Sequence, residues 1–501
     1  MRKFDVVIVG GGLAGLECGV ILSKKGMDVC VLEQSGRTGG FFQPFFRNGK
    51  KIDTSIHYVG SLDEGMFLNN VFRYLDIWRD LDLVRLNEEG FDKVHISGKT
   101  YSFAMGHENF SRTLSAEFPN MSKEIELYTR RLKETGVNSL RSTLDGGGIS
   151  ADALGMLSLS AFEEIERTIP DRRLQQLLTG HSIIYSGERS MTPFYLHAIT
   201  TNSYLEGAYR FRGGADTVTD ALTKRIRESG GVVMTKVRCT SIITDNKIVK
   251  GIRLDNGEVV EGKYVISTCH PAETLSMVGT DSELRKVYRN RINSLRNSPG
   301  LFCLYLIMKP GTFPYLNENH YIFGDDSHPE ISAAPLKNGI LASFQPPVID
   351  HEFAEVVTLV REMDWCEVEK WSDTIVEMRG EEYKEFKERI SNEMISLADS
   401  RLPGLKAAIL NSSSSSPLTF RDYLGTPDGS AYGLMKSFSN PLSSIIPPKT
   451  RVQNLYLAGQ SLNFHGVMGV TVTSLLTCSA ILGANVLIKE GGVSLNNMSE
   501  A

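Results

Sequence analysis

Six residues near the start, Gly10-Gly11-Gly12-Leu13-Ala14-Gly15, satisfy the pattern G-x-G-x-x-G, and Glu33 stands about twenty residues further on. This spacing brings peptide amides up to a pyrophosphate. Gly10 permits a tight strand-to-helix turn, Gly12 has no Cβ to hold a pyrophosphate off the backbone, and Gly15 lets helix and strand pack closely. The unpaired amides of the first helical turn and the helix dipole then face the phosphates. Glu33 can accept both hydroxyl protons of an adenosine ribose and would repel a 2′-phosphate. A lone match to the pattern is weak. Here it follows an apolar run of strand length at 4–9 and opens a helix-compatible stretch at 13–25 that Gly26 ends. Glu33 directly follows a second apolar run, 28–32. That β-α-β context makes the match strong, and the ligand it implies is NAD or FAD.

Three further features favour FAD. Gly36-Arg37-Thr38-Gly39-Gly40 follows the acid at once, so backbone can approach a cofactor there and Arg37 could pair with a phosphate. A strand at 455–458, the glycine turn at Gly459 and a following helix could bring a second helix N-terminus to the same ligand, with Gly466 and Gly469 along it. No second G-x-G-x-x-G follows a strand, so the electrons are expected from a diffusing partner or from the substrate. A solvated turn around Arg37 and an ordinary strand–helix unit at the end are the plainer alternatives.

The elements that must position these groups are legible in part. Residues 66–200 show helical periodicity, as in 66–75 and 162–167, and the glycines at 146–148 mark a loop. From 209 the pattern changes. Gly213-Gly214 precede a helix at 215–229 that Gly230-Gly231 stop, and short strands follow at 232–235, 241–244, 248–254 and 264–267, with turns at Asp245-Asn246 and Asn256-Gly257. The apolar run 301–308, the charged stretch 381–389 and a serine run at 412–416, read as a loop, fill the section before 450. The uncharged stretch 470–488 has membrane-spanning length, but Thr471, Thr473, Ser474, Thr477, Ser479, Gly483 and Asn485 interrupt it, which predicts a buried helix.

Composition narrows the classes. With 54 Lys+Arg against 59 Asp+Glu the net charge is −5, which argues against a nucleic-acid partner. Seven scattered cysteines form no C-x-x-C, so neither a disulfide framework nor a zinc cluster is expected, and a reducing compartment is the default. The N-terminus runs straight into a strand and has no signal-peptide pattern, so the expected location is cytoplasmic.

Val6 to Gly15, Glu33, Gly39-Gly40 and the closing glycine unit resemble the carotenoid desaturase, carotenoid isomerase and amine oxidase superfamily of FAD enzymes. The segment Ile52-Asp53-Thr54-Ser55-Ile56-His57-Tyr58-Val59-Gly60 resembles the corresponding stretch of the all-trans-retinol saturase (13,14-reductase) branch and its bacterial relatives, as does the segment from Pro417 to Gly433. The resemblance implies a mixed α/β fold. A Rossmann-type FAD-binding domain would be built from 1–65, 206–275 and 451–490, with an interleaved substrate domain from 66–205 and 276–450 and a polar tail at 491–501. It implies that Gly10, Gly12 and Gly15 meet the pyrophosphate and Glu33 the ribose. Val237, in a strand pair after Gly231, would meet the adenine through its backbone, and Gly459, Met468 and Gly469 would flank the isoalloxazine. Relatives often carry an acid after the glycine at 459, where this chain has Gln460, which can hydrogen-bond without charge.

The implied reaction is hydride transfer at flavin N5 to or from a carbon–carbon bond of an apolar polyene or isoprenoid, in the saturase direction. Desaturation or cis–trans isomerisation of carotenoids, amine oxidation, and a non-catalytic flavin-binding carrier are the alternatives. A proton must reach the second alkene carbon, and His57, Tyr58 and Tyr432 are the candidate donors. Each also fits a plainer role, His57 as a structural histidine and the tyrosines as walls. His465 could position flavin, and His270, before Pro271, reads as a helix start. No metal motif is present. An apolar substrate also implies peripheral membrane contact.

Overall fold

The computed structural model describes residues 3–144, 151–279, 284, 286–324 and 339–483. The loop expected at 146–148 and the polar tail at 491–501 lie outside them.

Strand Lys3–Val9, helix Leu13–Lys24 and strand Val29–Leu32 follow in order, as the pattern predicts. The two strands are parallel neighbours, Val6 beside Val29 and Val9 beside Leu32. The first from Val6 onward and the second throughout are apolar and buried, because helices cover such a sheet on both faces. Val259–Ser267 flanks the first strand in parallel, Leu455–Leu457 pairs beyond it, and Val232–Met234 closes the other side. The hairpin Cys239–Asp245 and Ile248–Leu254 completes a seven-stranded sheet. Its turn residues Asn246 and Lys247 both have positive φ, 49° and 66°, the twist a two-residue hairpin needs. The architecture is the mixed α/β, Rossmann-like one expected.

A second seven-stranded sheet runs Ile409–Ser415, Gly300–Met308, Val356–Met363, Gly339–Phe344, Asn319–Phe323, Asp92–Ile96 and Lys99–Phe103. Only Asn319–Phe323 and Asp92–Ile96 pair in parallel, with Asn319 beside Asp92. Helices Ser122–Leu144 and Phe194–Leu205 pack on one another. The small pair Leu83–Arg85 and Tyr209–Phe211 links the chain just before the second sheet to the chain just before helix Asp216–Glu228.

Several expectations need correction. The stretch 66–200 is not helical throughout: Leu83–Arg85, Asp92–Ile96 and Lys99–Phe103 are strands, short and alternating enough to be lost between strong helical signals. The serine run is not a loop. Ser412, Ser413, Ser414 and Ser415 pair with the fully buried strand Gly300–Met308, and as the sheet's edge they need small polar side chains more than apolar ones. Ser416 then caps helix Pro417–Leu424, its hydroxyl accepting from the Leu418 amide. Val237 lies in the connection between two strands and not within a strand pair. His270 does start a helix, Pro271–Met277, with Nδ1 accepting from the Ala272 amide at 3.2 Å.

The closing helix is Gly466–Leu482. Among the described residues no helix is long and apolar enough to cross a membrane. None of the seven cysteines forms a disulfide, and among the described residues no group of three or more metal-ligating side chains gathers.

Candidate functional site

The opening turn is built from backbone. Gly10 has φ +104°, and a Cβ there would stand 2.2 Å from Thr268 Oγ1. A Cβ on Gly15 would stand 2.0 Å from the Gly10 carbonyl. Both glycines are therefore demanded by the protein itself. Gly12 differs: its Cβ would meet nothing nearer than Gly40 Cα at 3.9 Å. The space in front of Gly12 belongs to no protein atom, which is the opening a phosphate needs. Gly12 also stands at the N-cap of helix Leu13–Lys24 without a side-chain cap, so no side chain competes for the helix end.

The second glycine pair lies against the first. Gly39 N donates to Gly11 O at 2.8 Å, and a Cβ on Gly40 would sit 3.3 Å from Gly12 Cα. Glu33 ties the turn together: Oε2 accepts from the Gly11 amide and Oε1 from the Ser35 amide and hydroxyl, each at 2.8 Å. A carboxylate has about four acceptor positions, so one remains for a ribose hydroxyl. The Val237 amide donates to Glu33 O at 3.0 Å, which leaves its carbonyl to address an adenine. Arg37, expected at a phosphate, is instead ion-paired with Asp216 and Asp220 on the neighbouring helix.

The closing loop returns to this place. Gly459 has φ +112°, and a Cβ there would lie 4.0 Å from Ala14 Cβ. Half-buried Gln460 follows it, and Met468 is buried in the first turn of the closing helix. Gly469 serves packing: a Cβ would strike Phe464 O at 2.3 Å. The closing helix docks on the opening one, Thr471 Oγ1 donating to Glu17 Oε1 at 2.7 Å. Burial pushes that carboxyl up to about 7.

Ser55 Oγ, His57 Nε2 and Asn463 Oδ1 are buried without a partner. They sit on the segment after the second glycine pair and on the closing loop. An orphaned buried polar atom costs about 1–3 kcal/mol, so a polar ligand group reaching any one of these would be stabilising. The glycine cradle, open at Gly12 and at an uncapped helix end, suits the pyrophosphate of a dinucleotide.

The structure separates the three candidate proton donors. His57 is held neutral, its pKa pushed down to about 4 by burial and by the nearby Arg210 charge. Tyr58 points into the second sheet, its hydroxyl donating to Asp92 Oδ2 at 3.1 Å and 2.6 Å from the Tyr321 hydroxyl. Tyr432 stands elsewhere, its ring 4.6 Å from the His465 ring at the start of the closing helix. Tyr432 and His465 line a cavity with Tyr185, Ser298, Leu434 and Lys436. Lys436 donates to Ser444 O, Ser461 O and Leu462 O at 2.9–3.0 Å, and burial brings its amine down to about 7. Tyr204 stacks on Tyr58 at 4.1 Å, and burial first, then the Tyr204 phenol, raises the Tyr432 pKa.

Sequence reasoning missed Asp92, Tyr204, Tyr321, Tyr185 and Lys436. Only Asp92 left a signal, an acid at an inward position between Phe91 and Val94, both buried.

Residues 13–330, well over half of the chain, match the family of flavin containing amine oxidoreductases. The chain belongs to that family. This flavin-dependent oxidoreductase takes FAD, and the cradle described above has the shape for it. All-trans-retinol 13,14-reductase of Macaca fascicularis is 25% identical over 97% of this chain and 86% of its own length. The chloroplastic prolycopene isomerase of Daucus carota is 22% identical over 98% of this chain and 81% of its own. An oxidoreductase from Methanosarcina mazei shares the fold, with a TM-score of 0.63, 17% identity, and coverage of 96% of this chain and 100% of that one.

Proposed function

We propose that this flavoenzyme reduces a carbon–carbon double bond of an apolar polyene or isoprenoid. The retinol and carotenoid enzymes that match nearly the whole chain carry the reading, and a small cavity at the start of the closing helix accords with it. Tyr185, Leu196, Tyr432, Leu434 and Met435 line it beside three hydroxyl side chains, His465 and Lys436, and no carboxylate does. A cationic amine there would find no counter-ion. The retinol and carotenoid relatives, matched over nearly the whole chain, support the same substrate class.

Bound FAD supplies the hydride chemistry. The chain holds it in this reading through Gly10, Gly12, Gly15, Gly39 and Gly40 at the pyrophosphate, Glu33 at the ribose and the Val237 carbonyl at the adenine. Gly459, Gln460, Met468 and Gly469 flank the ring. Residues 1–65, 206–275 and 451–490 form the cofactor domain, and 66–205 with 276–450 the substrate domain. Tyr58 holds the proton for the second carbon, His57 stays neutral beside it, and Tyr432 is wall. The electron donor is a separate diffusing molecule, and peripheral membrane contact delivers the substrate.

The test uses reduced protein, incubated anaerobically with all-trans-retinol and with linear carotenes. A product heavier by two hydrogens is expected. A product lighter by two hydrogens, or an isomer of unchanged mass, would replace the reading with desaturation or isomerisation. Oxidation of a primary amine with no reaction on any polyene would overturn it.

A further inference from the structure

We infer that Asp92 stores the proton that Tyr58 passes to the substrate, which makes Asp92 a positioning residue behind the reaction. This rests on the alkene-reducing reading above.

Asp92 is 1% exposed and lies on strand Asp92–Ile96. Its Oδ1 accepts from Asn319 Nδ2 at 2.9 Å, and its Oδ2 from the Tyr58 hydroxyl at 3.1 Å. Among the described residues no cation touches it. Arg210 is the nearest guanidinium in this network. It donates to Leu316 O, Glu318 O and Asn319 Oδ1 at 2.8–3.0 Å, and so reaches Asp92 only through Asn319. A buried carboxylate with one amide, one phenol and no counter-ion is costly, and taking up a proton removes that cost. Burial accordingly raises its pKa to about 7, against smaller opposing effects of Asn319, Tyr58 and Arg210.

The hydroxyls make the acid's state matter. Tyr58 Oη and Tyr321 Oη are 2.6 Å apart, and each phenol has one proton to give. When Asp92 is ionised, Tyr58 donates to it and accepts from Tyr321. When Asp92 is protonated, its own hydroxyl can donate to Tyr58, and the Tyr58 proton is released to point elsewhere. One proton on Asp92 reverses the file. The titratable groups facing it are Tyr58 from the segment after the glycine pair, Tyr204 from helix Phe194–Leu205, Arg210 from strand Tyr209–Phe211, and Tyr321 from strand Asn319–Phe323. Tyr204 stacks on Tyr58 at 4.1 Å, and Tyr204 and Tyr432, the cavity wall, both pack against the core cluster that holds Tyr58 and Tyr321.

In the reducing direction the alkene π bond breaks. One carbon gains hydride, with its electron pair, from the reduced flavin, and the other gains the Tyr58 proton. The Tyr58 oxygen recovers a proton from Asp92, and the carboxylate recovers one from water.

Infrared difference spectra of the holoprotein without substrate, taken between about pH 5 and about pH 9, test the store separately from the polyene reading. A buried carboxylic acid band should bleach near neutral pH in the wild type and be absent in Asp92→Asn, with the Glu17 and Asp53 bands kept. Tyr58→Phe removes one donor to the carboxylate and should move the midpoint upward, which covers the case of Asp92→Asn failing to fold. With a reducible polyene, single-turnover reduction should lose about 100-fold in Asp92→Asn, together with the fall in rate above neutral pH. A wild-type band set that Asp92→Asn and Tyr58→Phe leave unchanged would overturn the inference. Titrating bands with no polyene reduced would leave the proton store standing and remove its use.

Discussion

The glycine cradle and the Asp92 file are built in opposite ways. The cradle is backbone: Gly10, Gly12 and Gly15 come from one turn, Gly39 and Gly40 from the next, and their spacing is their geometry. The file is side chain: Tyr58, Asp92, Tyr204, Asn319 and Tyr321 come from four separated stretches and meet only when the second sheet forms. A site made of main-chain amides leaves a local pattern in the sequence. A site made of side chains gathered by tertiary packing leaves single residues with nothing nearby to mark them.

Substitutions can break that contrast or sharpen it. The largest effect is expected at Gly15→Val, whose Cβ falls on the Gly10 carbonyl; the strand–helix unit should fail to form, read as loss of a cooperative thermal transition. Gly12→Val should leave the melting of the flavin-free protein unchanged and abolish flavin binding, because the open space there is the ligand's. Glu33→Arg should strip the flavin as well, since the ribose loses its acceptor and the Gly11 amide its partner. Unchanged flavin absorbance per protein would remove Glu33 from the site.

Tyr58→Phe should keep the flavin content and slow reduction of the substrate by about 100-fold, which places the file in the chemistry and the cradle in binding. A smaller effect appears in stability against pH. The folded-state pKa of Asp92, about 7, lies above its ordinary 3.8. The native protein therefore keeps a proton that the unfolded chain has released, and stability from this group falls as pH rises from about 4 to about 7. Asp92→Asn lacks that fall. Wild type should lose up to about 4 kcal/mol relative to the variant across the window, measured by denaturant unfolding. Glu17 and Asp53, also raised to about 7, act in the same direction, and His57, lowered to about 4, acts against them, so the difference between the two proteins carries the sign.

Legibility in the sequence follows the same division. The opening β-α-β unit, the hairpin turn at Asn246 and the cap at His270 were readable because each is set by residues a few positions apart. The edge strand of serines was not, since what makes Ser412 to Ser415 a strand is the buried neighbour Gly300–Met308, more than a hundred positions away in sequence. Arg37 shows a subtler limit. Its type and place suit a phosphate, yet Asp216 and Asp220, one helical turn apart on a distant helix, claim it. His57 and Tyr58, neighbours in sequence, take different surroundings: His57 keeps an orphaned nitrogen and Tyr58 joins the acid.

The most direct measurement is the visible spectrum of the purified protein through one anaerobic cycle of reduction and polyene addition. The account predicts a flavin band that bleaches on reduction and returns when all-trans-retinol or a linear carotene is added. Folded protein that takes up no FAD, or a reduced flavin that every polyene leaves bleached, would contradict it.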